Sequence, residues 1–167
     1  MYNAYLKFTS MLTKIISYIA MICLISMVVT CFAQVVIRNM GQSAPWVEEL
    51  ARYSQVWTTF LGGAVAYKHG SLAAIDFVKD RLRKNAKAVA VLEIAIWVLS
   101  VFFFYYLISG GFVLVSKMAR QLTPALKISK IYVYSALPIG GCFMLLFSFE
   151  HLIDSILILM GKKEDKK

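Results

Sequence analysis

The chain has 167 residues, of which 60% are hydrophobic and only 16% are charged, with a net charge of +9 and a mean hydropathy of +0.70. An ordinary soluble domain carries about a quarter charged residues, so this composition argues against a water-soluble globular enzyme. The charges stand in short clusters between apolar stretches of about twenty residues, which is the pattern of a membrane protein.

Four apolar stretches predict four membrane-spanning helices, here called spans 1 to 4. Each is long enough to cross a hydrocarbon core of ~30 Å at ~1.5 Å per residue, and none shows the period-two alternation of a barrel strand. We therefore predict an all-α membrane protein in which residues 1–167 form a single integral-membrane domain, a bundle of four helices with short loops. The spans cover approximately residues 15–37, 46–67, 88–116 and 131–160.

The lengths of the first and last apolar stretches decide their interpretation. The first is longer than the ~7–15-residue apolar region of a secretory signal peptide, so we take it as span 1. The last is too long for one straight span and is interrupted by Glu150, His151 and Asp154. Its end either projects into the cytoplasm or lies along the membrane surface.

Lys and Arg are distributed unevenly between the two sides of the membrane. The connections on the side of the N-terminus carry twelve of them, whereas those on the other side carry five. The positive-inside rule then places both termini in the cytoplasm. Topology and attraction to anionic phospholipids account for the basic excess, so we expect no nucleic-acid partner.

The cytoplasmic connection between spans 2 and 3 has apolar residues at helical spacing. Leu72, Ile75, Val78 and Leu82 stand three, three and four residues apart, with Lys and Arg between or beside them. This pattern predicts an amphipathic helix that lies on the cytoplasmic leaflet.

The start of span 2 carries the most informative cluster, which consists of Trp46, Glu48, Glu49 and Arg52, with Trp57 further along the same helix. The spacing of four and three lets the guanidinium of Arg52 meet either carboxylate. Three interpretations stay open: an interfacial ion pair that reaches towards water, a contact with a second membrane subunit, and a proton or ion relay. No chain of acidic residues continues through the middle of any span, which disfavours the relay.

Small residues in spans 2 and 4 predict close helix packing. Gly62 and Ala66 stand four apart, with Gly63 beside them, and Ala136 and Gly140 form a second pair with the same spacing. We interpret these positions as packing within the bundle rather than as a binding site.

No residue pattern predicts a cofactor, a metal ion or a catalytic group. The three cysteines lie in apolar stretches without metal-ligand spacing, and Glu150, His151 and Asp154 are too mixed a set to indicate a metal site. His69 and His151 are poorly placed to ligate a haem between helices. A haem- or redox-carrying four-helix protein and a stand-alone small transporter remain as alternatives.

The order of residues around span 2 is similar to that of a known family. The segment 46–53, with its Trp-x-Glu-Glu-x-x-Arg core, and the following Trp57 and Phe60-Leu-Gly-Gly-Ala resemble the small, DctQ-like membrane subunit of the tripartite ATP-independent periplasmic (TRAP) transporters. The four-span layout is similar over nearly the whole chain, and the likeness is strongest in residues 38–82.

This resemblance implies a bacterial inner-membrane protein that works with a large transport subunit and a soluble periplasmic substrate-binding protein. In this family the large subunit carries the sodium-coupled elevator and the substrate site. The chain would then be a non-catalytic scaffold for uptake of an organic anion, of the sialic acid or C4-dicarboxylate type, with sialic acid preferred. The resemblance also makes the cluster in span 2 a contact with the large subunit, formed by Trp46, Glu48, Glu49, Arg52 and Trp57.

The connection between spans 3 and 4 carries four basic residues that the positive-inside rule does not explain. Two interpretations stay open: they supply positive charge where the binding protein docks, or they belong to an ordinary solvated loop. The four residues are Lys117, Arg120, Lys127 and Lys130.

Overall fold

The computed structural model describes residues 2–69 and 86–159, with side chains placed in residues 5–69 and 94–150. Within these residues the chain forms five helices and a single isolated β-bridge, between Leu122 and Ser129, which confirms the all-α class. The predicted amphipathic helix of residues 72–82 lies outside the described residues. The helices are α1 (Tyr2–Asn39), α2 (Pro45–Lys68), α3 (Ala86–Met118), α4 (Ile131–Tyr134) and α5 (Ala136–Leu159).

A glycine and a proline mark the boundary between α1 and α2. Gly41 adopts a left-handed φ of 73°, and its N–H donates to the carbonyl of Arg38 while the N–H of Gln42 donates to Ile37. These two bonds form a Schellman motif, which ends a helix and suits glycine because it has no Cβ. Pro45 then begins α2, where its missing N–H costs no helical hydrogen bond.

Span 4 is divided into α4 and α5 at Ser135. Pro138 has no N–H, so it cannot donate to the carbonyl of Tyr134 as a residue in a continuous helix would. The hydrogen bonds resume when the N–H of Ile139 donates to Ser135. The helix is therefore interrupted at Ser135, three residues before the proline.

Three helical segments of the described chain are long and apolar enough to cross a membrane: Tyr5–Asn39, Ile94–Met118 and Ile131–Glu150. The helix α2 is 24 residues long but is the most polar of the long helices and does not meet this measure. That α2 crosses the membrane stays a prediction from the sequence. Although α2 packs against both α1 and α5, it leaves a stripe of polar side chains exposed. These are Glu48, Arg52, Gln55 and Thr59.

The long helices pack in the order α1, α2, α5 and α3, and each has its extensive contacts with its neighbours in that order. The core lies where α1, α2 and α5 meet, at Ile16, Leu61, Ala64 and Phe147. At the two edges of this row, α1 and α3 expose broad apolar faces, which are the surfaces that a bilayer or another membrane protein would cover.

Glycines allow α2 and α5 to approach closely. A Cβ built on Gly140 would lie 2.7 Å from the Cβ of Phe60, and one on Gly63 would lie 2.9 Å from the terminal methyl of Met144. Ala136 is fully buried and Ala66 is half-buried. Gly62, by contrast, has open space around its Cβ position, so among the five predicted packing positions it alone adds nothing to a close approach within the described chain.

We predict that Gly140→Ala destabilises the protein and that Gly62→Ala does not. The new methyl group at position 140 must displace Phe60, and such overpacking costs ~1–3 kcal/mol. At position 62 the substitution meets nothing and removes the entropic penalty of a helical glycine, ~0.5–1 kcal/mol. Unfolding of the full chain in detergent measures both. Equal stability of the two variants would contradict the close approach of α2 and α5.

Candidate functional site

The two ends of the helix row carry different polar clusters. The end that contains residues 40–44 and 119–130 is here called the loop end. The opposite end, which contains Tyr5, Lys68 and Glu150, is called the termini end. Each cluster includes one charged residue of α2 that the surrounding protein buries.

An open cleft of about 570 Å³ lies at the loop end, between the first turns of α2 and the 119–130 connection. It brings together four of the residues predicted from the sequence, whereas Trp57 lies outside it. The cleft is lined by Pro45, Trp46, Glu48, Glu49, Arg52, Pro124 and Ala125.

The 119–130 connection folds back on itself through backbone hydrogen bonds. The N–H of Thr123 donates to the carbonyl of Ile128 at 2.9 Å, and the N–H of Lys130 donates to Gln121 at 3.0 Å. At the tip, the N–H of Lys127 donates back to Thr123 at 3.1 Å. Lys127 has a left-handed φ of 55°, which is uncommon for a residue with a side chain, so the surrounding bonds must hold this tip in place.

Glu49 joins α2 to this connection. Its Oε2 accepts hydrogen bonds from two successive backbone N–H groups, Leu126 at 2.7 Å and Ala125 at 3.2 Å. The residue is only 7% exposed. Hydrogen bonds to a carboxylate are stronger than those between neutral groups, so Glu49 is a firm attachment between the two segments.

Arg52 pairs with Glu48 and not with Glu49 among the described contacts. Its Nη2 lies 3.1 Å from Oε1 of Glu48, and the two side chains are 66% and 57% exposed. Such an exposed pair adds little to stability. The cluster therefore has two parts: Glu49 binds the backbone of the same chain, whereas Glu48 and Arg52 face outward.

The two tryptophans of α2 have different surroundings. Trp57 donates its indole N–H to the carbonyl of Tyr132 at 3.0 Å and packs beside the core. Trp46 is about half exposed on the rim of the cleft. Trp57 thus holds α2 against α4, whereas Trp46 has an exposed surface that a partner could contact.

The four basic residues of the connection between α3 and α4 are also not equivalent. Lys117, Arg120 and Lys127 are exposed. Lys130 is half-buried and donates to Oε1 of Gln121 at 2.9 Å. Three positive charges are therefore directly available at the loop end, and the fourth is held by the connection itself.

At the termini end, Lys68 of α2 forms a buried ion pair with Glu150 of α5, and the two side chains are only 11% and 13% exposed. The Nζ of Lys68 also donates to the hydroxyl of Thr9 in α1 at 2.8 Å and lies 5.3 Å from the ring centre of Phe147. One ammonium group thus connects three helices.

Spacing along the chain did not reveal this pair. Lys68 is one of the twelve Lys and Arg residues on the side of the N-terminus, and Glu150 was grouped with His151 and Asp154. The available signal was that opposite charges end spans 2 and 4 on the same side of the membrane, where apolar surroundings require each to find a partner. The side chains of His151 and Asp154 lie outside those that the structure describes.

Further hydrogen bonds reinforce the termini end. Tyr67 donates to the hydroxyl of Ser148 at 3.1 Å, and Trp97 of α3 donates to the carbonyl of the same serine at 2.9 Å. Tyr5 of α1 donates to the carbonyl of Leu146 at 2.8 Å. All four long helices are therefore joined near this end.

Comparison with known proteins identifies the family. The chain matches the family described as tripartite ATP-independent periplasmic transporters, DctQ component, over residues 27–157, which is most of its length and includes the cleft. The chain belongs to this DctQ family. Membership confirms the resemblance that the segment 46–53 indicated and makes this chain a small permease component of a TRAP transporter.

A curated relative of this DctQ-family chain is the sialic acid TRAP transporter small permease protein SiaQ of Vibrio cholerae serotype O1. The two are 30% identical over 122 residues, which cover 70% of this chain and 66% of the relative. The chain thus spans slightly less than two thirds of that relative's length.

We predict that neutralising either partner of the buried ion pair is much worse than replacing both. Lys68→Met or Glu150→Met alone leaves an unpaired buried charge, which costs roughly 3–5 kcal/mol, whereas the double variant replaces the pair by apolar groups and is close to neutral. Unfolding of the full chain in detergent, read as a double-mutant cycle, measures the coupling. Additive effects of the two substitutions would show that the pair does not hold the helices together.

Proposed function

We propose that this chain is the small permease subunit of a sodium-coupled, binding-protein-dependent TRAP transporter in the bacterial inner membrane, for an organic anion of the sialic acid type. The observation that carries the proposal is the family match over residues 27–157. The printed name of the Vibrio cholerae relative supports sialic acid over a C4-dicarboxylate, which remains the second substrate class.

Within the transporter the chain acts as a non-catalytic scaffold for the large subunit. Among the described residues, every buried polar side-chain atom has a hydrogen-bond partner within the chain. The exposed apolar faces of α1 and α3 offer large surfaces to the large subunit and to phospholipids. These properties suit a component that supports another protein rather than one that forms its own transport path.

The predicted topology, with both termini in the cytoplasm, orients the loop end towards the periplasm. The binding protein is soluble in that compartment, and exposed Lys117, Arg120 and Lys127 supply positive charge there, with Lys130 beside them. Complementary charge steers encounters between proteins, so we assign these residues to docking of the binding protein.

The cleft at the loop end supplies the contact with the large subunit. Trp46, Glu48 and Arg52 are exposed there and make this contact directly. Glu49 and Trp57 support it from within the chain, since their polar atoms are occupied by the 119–130 connection and by Tyr132.

Uptake measurements test the proposed function. In cells that lack their own sialic acid uptake, the large subunit and binding protein are produced with or without this chain, and entry of radiolabelled sialic acid or succinate is followed with and without a sodium gradient. Sodium-dependent sialic acid uptake that requires this chain is expected. Uptake of succinate alone would move the assignment to the second substrate class, and uptake that does not need this chain would contradict the scaffold role.

We predict that Arg52→Ala lowers the amount of large subunit that co-purifies with the chain, by roughly tenfold or more, because it leaves Glu48 unpaired at an interface that excludes water. Arg38→Ala is the matched control, since Arg38 is also an exposed arginine at the loop end. Quantitative mass spectrometry of the detergent extract measures the ratio. Equal recovery from the two variants, with uptake intact, would remove Arg52 from the contact.

We also predict that replacing Lys117, Arg120 and Lys127 together by Glu raises the binding-protein concentration that gives half-maximal uptake and reverses its dependence on salt. The substitutions replace attraction by repulsion, and such long-range effects are screened at high ionic strength. Lys7→Glu with Lys14→Glu, two exposed residues of α1 near the termini end, is the control. An unchanged salt profile would assign the connection to an ordinary solvated loop.

A further inference from the structure

We propose that Glu49 is a positioning residue, whose carboxylate holds the 119–130 connection in the shape that presents its basic side chains to the periplasmic binding protein. This inference rests on the proposed function, since it needs the loop end to face that partner. It departs from the sequence interpretation, in which Glu49 contacts the large subunit.

The two hydrogen bonds to Glu49 have the geometry of an anion-binding turn. Two successive N–H groups, those of Ala125 and Leu126, converge on the same oxygen of Glu49. Consecutive backbone N–H groups in a tight turn form a concavity that binds anions. Here the anion is a side chain of the protein's own α2, so the turn is bound to a fixed carboxylate rather than to a free ion.

The packing of α2 holds the Glu49 carboxylate in place. Glu49 stands between Val47 and Ala51, which are 1% and 8% exposed. A change in the orientation of this part of α2 would expose both apolar neighbours. The position of the turn at 125–126 is therefore set by α2 and its packing.

The turn that Glu49 holds is continuous with the basic residues of the connection. Lys127 directly follows the two N–H groups and has a left-handed φ of 55°. A residue with a side chain adopts this conformation rarely unless its surroundings impose it. If the turn is released, Lys127 returns to commoner conformations and its ammonium group points elsewhere.

The expected functional effect is a weaker complex with an anionic protein surface. A connection that samples many shapes must be ordered when the partner binds, and that ordering lowers affinity even when every basic residue is still present. The maximal uptake rate is set elsewhere in the transporter and should not change.

Three variants separate positioning from charge. Glu49→Ala removes the acceptor for both N–H groups. Glu49→Gln keeps a side-chain oxygen at the same position along the side chain but removes the charge. It should therefore retain part of the order of the turn and part of the binding affinity. Gln55→Ala is the control, since it changes an exposed polar side chain of the same helix that does not line the cleft.

The experiment uses the full chain purified with the large subunit. Hydrogen exchange read by mass spectrometry follows the peptide that contains residues 119–130, and a titration measures binding of the binding protein. In Glu49→Ala we expect the exchange of this peptide to rise by about tenfold or more, because two bonds to a charged acceptor are lost. Binding should weaken by a similar factor, with Glu49→Gln intermediate and Gln55→Ala unchanged.

The two measurements distinguish the possible failures. Exchange that stays as in the wild type in Glu49→Ala would show that Glu49 does not hold the turn, which overturns the inference whatever happens to binding. Faster exchange with unchanged binding would show that the shape of the connection does not matter to the partner, and this also overturns it. A wild-type complex that binds no binding protein at all would contradict the proposed function, and the inference would fail with it.

Discussion

The arrangement of the helices depends on the burial of one ammonium group. Lys68 ends the most polar of the long helices, and its Nζ is held by the carboxylate of Glu150 and the hydroxyl of Thr9. In apolar surroundings an unpaired charge costs several kcal/mol, so α2 is stable only where α1 and α5 supply these partners. At the loop end the buried carboxylate of Glu49 also needs partners, and the backbone of the 119–130 connection supplies them.

These two attachments place α2 in the middle of the row and leave the apolar helices at its edges. Close approach at Gly63 and Gly140 then brings α2 and α5 together around the core. The faces of α1 and α3 that remain uncovered are apolar, so a larger membrane protein can pack on them without any polar group losing its partner. A scaffold subunit needs this combination of a fixed interior and large apolar exterior surfaces.

Much of this architecture follows from the sequence, because long uncharged stretches have few alternatives to helices in lipid. The sequence also marked four of the seven residues that line the cleft, since acidic residues and an arginine one turn apart are unusual near an apolar stretch. It did not decide which carboxylate Arg52 meets, because Glu48 and Glu49 are both within reach along the helix and only the position of the connection separates them. It named both Gly62 and Gly63 as packing positions for the same kind of reason: adjacent residues point about 100° apart, and tertiary packing selects one. The pair of Lys68 and Glu150 depends on contact between distant segments, which spacing along the chain does not reveal.

The central claim is that this chain works as one component of a larger transporter. The most direct measurement is to express the tagged chain at its native level in its native membrane, extract it in mild detergent and identify what co-purifies by mass spectrometry. The account predicts a larger multi-pass transport protein in about equal amount. A chain that purifies alone, or only with copies of itself, would contradict it.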